Sequence, residues 1–184
     1  RACIRALPHT RRAWGGRCAS TSAAVAAAST GESDLAAIFA SCVHAAQRER
    51  LPGGLYVCAT PIGNVEDITL RAVRVLAGAD AVLAEDTRRT GRLLQRLGIK
   101  ASLVSYHTHN ERGREAQTLE RLRAGEALAL VTDAGTPGVS DPGTSLVAAA
   151  AAAGINVVPL PGASAALCAL AASGLPTEAF AFVG

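Results

Sequence analysis

Most of the chemistry open to this sequence lies in three segments rich in glycine and proline: Thr60-Pro61-Ile62-Gly63-Asn64, the run from Asp133 to Gly143 (DAGTPGVSDPG), and Pro159-Leu160-Pro161-Gly162-Ala163-Ser164. Glycine lets a backbone approach a ligand closely or take up positive φ, and proline stiffens a turn so that its amides and carbonyls stay aimed. Such walls suit a flat, nucleoside-like ligand. Each loop taken alone reads first as a tight strand-to-helix connection, and it is three of them after strands that point to a ligand. The central loop lacks G-x-G-x-x-G spacing, and no G-x-x-x-x-G-K-[ST] run occurs, which disfavours ordinary dinucleotide and P-loop binding.

Four groups could serve as a positioned base: Glu85, Asp86, His107 and His109. Asp86 is also placed to act as a stabilising anion at a helix N-terminus, and unpaired loop histidines are commonly plain surface residues. Asp133 has two open roles, holding a ligand's polar groups or capping its own turn; Asp141 is read as structural. Arg88, Arg92 and Arg96 recur every four residues, with Arg89 adjacent, so a helix would carry their guanidinium groups on one face. That stripe could meet phosphates or be a solvated face.

The elements that must position these groups follow from apolar patterning. Short apolar or β-branched runs at 55–59, 81–84, 102–106, 127–131 and 155–160 read as buried parallel strands. Between them, segments near 68–77, 88–97, 111–123, 144–153 and 164–172 have helical spacing. Asp67, Thr87, Asn110, Thr144 and Ser164 stand where N-caps are wanted, and Gly98, Gly125 and Gly154 follow helices. Five βα units of this length predict an α/β fold, a mainly parallel sheet with helices on both faces and ligands at the carboxyl ends of the strands. The Ala-rich segment 144–153 is read as core or as a subunit contact.

A chain of 184 residues with 49% hydrophobic composition can bury one domain's core. It contains no Met and ends just after an apolar stretch, so it is expected to be part of a longer protein. The formal charge of +3 divides unevenly: residues 1–50 hold seven Arg and three acids, and residues 51–184 hold eleven bases and twelve acids. The basic excess therefore says nothing about a nucleic-acid partner of the folded part. Residues 1–50 are read as a transit peptide or disordered extension, because Arg1, Arg5, Arg11, Arg12 and Arg17 alternate with Ala, Ser and Thr before any acidic residue. Within it, 34–47 could form a short linker helix with Leu35, Ile38, Phe39 and Cys42 on one face. The localisation expected is a plastid or mitochondrion, or the cytoplasm if the extension is no targeting signal. The five Cys lack zinc or C-x-x-C spacing and are read as reduced thiols; no metal and no membrane span are expected. The aromatic content of 3% leaves few platforms for stacking bases.

YVCATPIGNVEDITLRAVRVL, AEDTRRTGRLL, SYHTHNE, LVTDAGTPGVSDPG and VVPLPGASAALCALAASGLP, in that order, closely resemble the ribosomal RNA small subunit methyltransferase I family of the tetrapyrrole methylases. The resemblance implies the N-terminal α/β domain of a class III methyltransferase over residues 53–175, with 176–184 beginning a linker to a second domain. It implies S-adenosyl-L-methionine as cofactor, held by Pro61, Gly63, Asp133, Ala134, Gly135, Val139, Ser164 and Ala165. The activity implied is 2′-O-methylation of a cytidine ribose in small-subunit ribosomal RNA, with Arg88, Arg89 and Arg92 on the RNA; Glu85 and Asp86, directly after the second strand, are the catalytic candidates by position. A homodimer is also implied. Val65, Thr108 and Thr132 depart mildly from the family pattern. Two other functions stay open: a tetrapyrrole or corrinoid precursor methyltransferase, disfavoured by the D-A-G-T-P loop, and a non-catalytic nucleotide-binding or dimerisation module.

Overall fold

The computed structural model describes residues 28–183. The Arg-rich segment read as a transit peptide lies largely outside them.

Five strands, β1 (Gly54–Cys58), β2 (Ala81–Ala84), β3 (Leu103–Ser105), β4 (Ala127–Val131) and β5 (Val157–Leu160), form one sheet in the order β3-β2-β4-β1-β5. Every pairing is parallel, as the βα alternation predicts. All residues of β1, β2 and β4 are buried, which explains why they read as continuous apolar runs. The pleat sends Tyr56, Cys58, Val82, Ala84, Ala129 and Val131 to one face and Leu55, Ala81, Leu83, Leu128 and Leu130 to the other. Each fully buried Leu contributes roughly 1.5–3 kcal/mol of transfer free energy, so the three inner strands hold the fold together. The edge strands are only partly covered, and Pro159 sits in edge strand β5, where its missing N–H costs no inner ladder bond.

Helices α1 (Ala28–Arg48), α2 (Leu70–Gly78) and α3 (Thr87–Arg96) pack on the first face; α4 (Glu111–Arg123) and α5 (Thr144–Ala152) cover the second. The last helix, α6 (Ala165–Ala172), has no buried residue. Gly98, Gly125 and Gly154 take φ of +69°, +85° and +69° just past helices, the left-handed turn expected there.

The caps differ from expectation at several starts. Asp67 ends a 3-10 turn (Val65–Asp67) instead of capping α2, whose cap is Thr69, accepting from the Ala72 N–H at 3.1 Å. Thr87 is the first residue of α3, and Asp86 is its cap. Thr144 likewise lies inside α5, behind Gly143. Asn110 precedes α4 but accepts from the His107 N–H at 2.9 Å, tying the loop after β3 to itself. Ser164 caps as expected, accepting from the Leu167 N–H at 3.5 Å, and Asn110 holds the expected position without a capping side-chain bond. These are shifts of one or two residues among neighbouring Thr, Asp and Gly, all of which favour caps.

The region 34–47 is not a free linker helix. α1 begins earlier and lies against α2 and the sheet, with Phe39 and Ala46 buried and Leu35, Cys42 and Val43 packed beside them. Ile38, expected on that face, is 46% exposed. The part of the 1–50 extension from Leu35 to Ala46 is therefore folded onto the core. At the other end, residues 173–183 contain no helix or strand and are exposed throughout.

Candidate functional site

Strand order decides what the loops can build. β4 lies between β2 and β1, so the loop after it is flanked by the loops after both. The Thr60 N–H donates to the Gly135 carbonyl at 2.9 Å and the Gly135 N–H returns to the Thr60 carbonyl at 3.0 Å. The buried Thr60 hydroxyl donates to the Thr132 carbonyl at 3.0 Å. On the far side, the Thr136 hydroxyl donates to the Ala163 carbonyl at 3.1 Å, joining the loop after β5. The three Gly/Pro segments singled out in the sequence are thus one hydrogen-bonded unit on the carboxyl edge of the sheet.

Gly135 has φ +90°, which only glycine adopts without strain, and this lets its backbone pair with Thr60. Gly143, at φ +113°, ends the same loop, and a methyl group there would lie 2.5 Å from a buried Leu130 methyl.

The loop after β2 is joined to the same unit by carboxylates. The Asp133 N–H donates to Glu85 Oε2 at 3.3 Å, and the Asp86 N–H donates to Asp133 Oδ1 at 3.2 Å. Arg89 reaches Asp133 Oδ2 at 3.3 Å. Asp133 therefore bridges two loops. Asp86 accepts from the Arg88 N–H at 2.8 Å and from Arg88 Nε and Nη2 at 3.1 and 2.9 Å. Those bonds hold its carboxyl well below the ordinary aspartate range, at about 2. A carboxylate so engaged is a weak base, and in this structure Asp86 serves as helix cap and arginine anchor.

Two cavities open on this edge. The smaller, about 130 Å³, is lined by Ile62, Ala134, Gly135, Thr136, Val139, Asp141, Ser164, Ala165, Ala166 and Phe182. Five of the eight residues assigned to the cofactor meet there: Ala134, Gly135, Val139, Ser164 and Ala165. Pro61 and Gly63 flank Ile62 but do not themselves line it, and Asp133 stands outside. The second, about 380 Å³, lies between the loops after β3 and β4 and includes Glu85, Thr108, Glu111, Ser140, Asp141 and Ser145. Asp141 lines both cavities, and burial pushes its carboxyl above the ordinary range. A larger cavity of about 450 Å³ between α3 and β3 lies away from this edge, with Lys100 its single charged lining residue.

Sequence reasoning missed Ile62 and Phe182, and it set Asp141 aside as structural. The signal for Ile62 was its place between Pro61 and Gly63; Phe182 offered none. Arg88 and Arg89 are held by Asp86 and Asp133, whereas Arg92 and Arg96 are exposed and make no ion pair among the described residues. His107 and His109 contact each other edge to face at 5.9 Å between ring centroids, beside the second cavity instead of in its lining. Among the described residues no group of carboxylate, His or Cys side chains could hold a metal ion, and Cys42, Cys58 and Cys168 are free thiols.

The profile of the family described as Tetrapyrrole (Corrin/Porphyrin) Methylases matches residues 54–183, from the first residue of β1 through every loop of the site. The chain belongs to the tetrapyrrole methylase family. Among its relatives, proteins named ribosomal RNA small subunit methyltransferase I are 54% identical in Synechocystis sp., 57% in Micromonospora olivasterospora and 52% in Escherichia coli O157:H7, each over 132 residues. Those alignments cover 72% of this chain and 47%, 42% and 46% of the respective relatives, so the chain spans about half their length. Among solved tetrapyrrole methylase structures, uroporphyrin-III-C-methyltransferase from Thermus thermophilus is similar at a TM-score of 0.51 and 30% identity, covering 67% of this chain and 53% of that one. The methyltransferase CobJ is similar at a TM-score of 0.51 and 27% identity, covering 67% and 52%. Helix α1 lies outside the residues that the tetrapyrrole methylase profile matches.

Proposed function

We propose that this chain is the N-terminal half of an S-adenosylmethionine-dependent methyltransferase that methylates a ribose 2′-hydroxyl, that of a cytidine, in small-subunit ribosomal RNA. The carrying observation is the meeting of the DAGTP loop with the loops after β1 and β5 around one cavity, in a chain 52–57% identical to proteins named for that RNA. The solved neighbour named uroporphyrin-III-C-methyltransferase is 30% identical, which favours RNA over a tetrapyrrole acceptor.

The residues present fit part of such a cofactor. Gly135 has no Cβ to fill the cavity wall, Ile62 and Val139 offer exposed apolar surface to a flat ring, and the Ser164 hydroxyl stands at the start of α6. At about 130 Å³ the cavity is smaller than the 300 Å³ or more usual for a complete small-molecule site, so a second wall must come from elsewhere in the full-length protein. When bound, S-adenosylmethionine supplies a methyl group on a positively charged sulfur. The protein's task is positioning, since holding donor and acceptor at near-attack distance supplies much of the acceleration. Residues 53–175 form the domain that does this, and 176–184 lead into a linker. Arg92, with Arg88 and Arg89 behind it, faces solvent where an RNA backbone could lie.

A homodimer is part of the same proposal, supported by the exposed apolar side chains of Leu167, Leu175, Phe180 and Phe182. So is import into a plastid or mitochondrion, supported by the acid-free, Arg-rich residues 1–31.

Calorimetric titration of the full-length protein with S-adenosylmethionine tests the assignment. Saturable binding that Gly135→Val weakens at least tenfold is expected; equal binding by both proteins would remove the cavity from the cofactor site. Methyl transfer to uroporphyrinogen but not to small-subunit RNA would sink the RNA assignment.

A further inference from the structure

Helix α3 presents an outer ridge with a groove on either side. Arg92, Gln95 and Arg96 are exposed along the ridge. Toward β3 lies the cavity of about 450 Å³ that includes Lys100, and toward α1 lies a groove of about 330 Å³ whose lining includes Phe39, Val43, His44 and Arg96. Gln95 and Gly98 belong to both, so the two grooves adjoin at the end of α3. Since α3 starts at the carboxyl end of β2, they lie toward the amino edge of the sheet, away from the DAGTP loop.

The charge around them has one sign. Neither lining contains a carboxylate, α3 has no acidic residue, and α1 has none after Asp34. Arg48, Arg92, Arg96 and Lys100 are exposed and make no ion pair among the described residues. Arg48 Nη2 stands 3.4 Å from His44 Nε2, which sets a guanidinium beside the imidazole at the groove. The carboxyl end of a helix is equivalent to about half a negative charge, which Arg96 alone offsets, so the other cations are open to a ligand. The carboxyl edge is the reverse, with Glu85, Glu111 and Asp141 on its larger cavity.

We propose that the α3 ridge and its two grooves form an RNA-holding surface remote from the methyl-transfer site. An unpaired strand runs along α3 with its phosphates on Arg92, Arg96 and Lys100, and one base lies against His44 in the groove between α1 and α3. The inference rests on the RNA substrate proposed above and adds where the strand is held beyond the reacting nucleotide. A basic track beside apolar surface and a ring is what unpaired RNA takes, phosphates on the cations and base faces on the ring. An acidic peptide would match the sign of the charge. The regular step favours RNA: Arg88, Arg92 and Arg96 stand one helical turn apart, about 6 Å, close to the repeat of an extended phosphate backbone. One wall of the His44 groove is α1, which lies outside the tetrapyrrole methylase profile, so this part of the surface is not carried by the family match.

Binding of the full-length protein to an unpaired oligocytidylate, titrated over a range of salt concentrations, tests the surface without needing turnover. Replacing Arg96 and Lys100 together by Gln should lower the slope of log affinity against log salt by about 1.4, the share of two phosphates of a single strand. His44→Ala should weaken binding about fivefold or more at every salt concentration and leave the slope alone, as loss of a stacked base does. Ala40→Glu, at an exposed residue of the α1–α3 groove, should weaken binding by roughly fivefold at low salt, while Ala45→Glu, exposed on α1 outside both grooves, should bind as wild type. Wild-type slope and affinity in the Arg96, Lys100, His44 and Ala40 variants would overturn the surface, as would no binding by the wild type. So would an Ala40→Glu protein that loses self-association and keeps its RNA affinity, which would assign the groove to a second copy of the chain. The expected slopes without methyl transfer to small-subunit RNA would instead reject the proposed activity and leave the surface standing.

Discussion

Helices α5 and α6 are made of nearly the same residues, TSLVAAAAA and AALCALAA, and each follows a strand and a Gly/Pro loop. α5 buries Leu146 and Ala150 completely against the sheet, while α6 buries nothing and leaves Leu167 56% exposed. The difference lies in the strands before them. β4 is interior, so the helix returning from it crosses sheet on both sides; β5 is the edge, and no strand lies beyond it. An apolar helix must be covered, but its composition does not say that its own domain supplies the cover. On the sheet α5 is covered by packing, whereas α6, beside the DAGTP-loop cavity, is left uncovered.

The strongest way to break that comparison is to shorten a side chain under α5. Leu146→Ala is expected to destabilise the protein by roughly 2–5 kcal/mol in urea unfolding, the cost of an uncollapsed cavity. A loss below 1 kcal/mol would mean that α5 is not held as described. Next comes Gly143→Ala, which places a methyl group against Leu130 at φ +113° and is expected to cost on the order of 1–3 kcal/mol.

A smaller effect tests the start of α3, which is held by charge. The folded Asp86 carboxyl, at about 2, lies below its ordinary 3.8, so its stabilising contribution is complete above pH 4 and fades as pH falls towards 2. Asp86→Asn should therefore remove part of the acid sensitivity of unfolding between pH 4 and 2; an unchanged profile would contradict the Arg88 clamp. Smallest of all, Leu167→Ser on α6 should change stability of this chain by no more than about 0.5 kcal/mol while reducing self-association. A large loss would show that α6 is covered within the chain after all.

The strands were legible because burial on both faces leaves an uninterrupted apolar signature, as in Leu55 to Cys58 and Ala127 to Val131. The three Gly/Pro loops were legible as a group because strand order brings the ends of β1, β4 and β5 side by side. Cap positions were less so: Asp67, Thr69, Asp86 and Thr87 are all competent caps, and local bonding chooses among them. α1 was half legible, since Ile38 stands three and four residues from Leu35 and Cys42 and Phe39 four and three, both spacings fit one helix face, and packing buries Phe39. Asp141 was not legible as a site residue. A loop aspartate among Ser, Pro and Gly has an ordinary turn role, and its place between two cavities depends on where the loops after β3 and β5 end.

The assignment to RNA rests on one outcome more than any other. In an organism lacking the full-length protein, 2′-O-methylation mapped along small-subunit ribosomal RNA should lose one cytidine ribose methyl group, restored by the wild-type protein and not by Gly135→Val. Methylation unchanged at every position of that RNA would contradict the account.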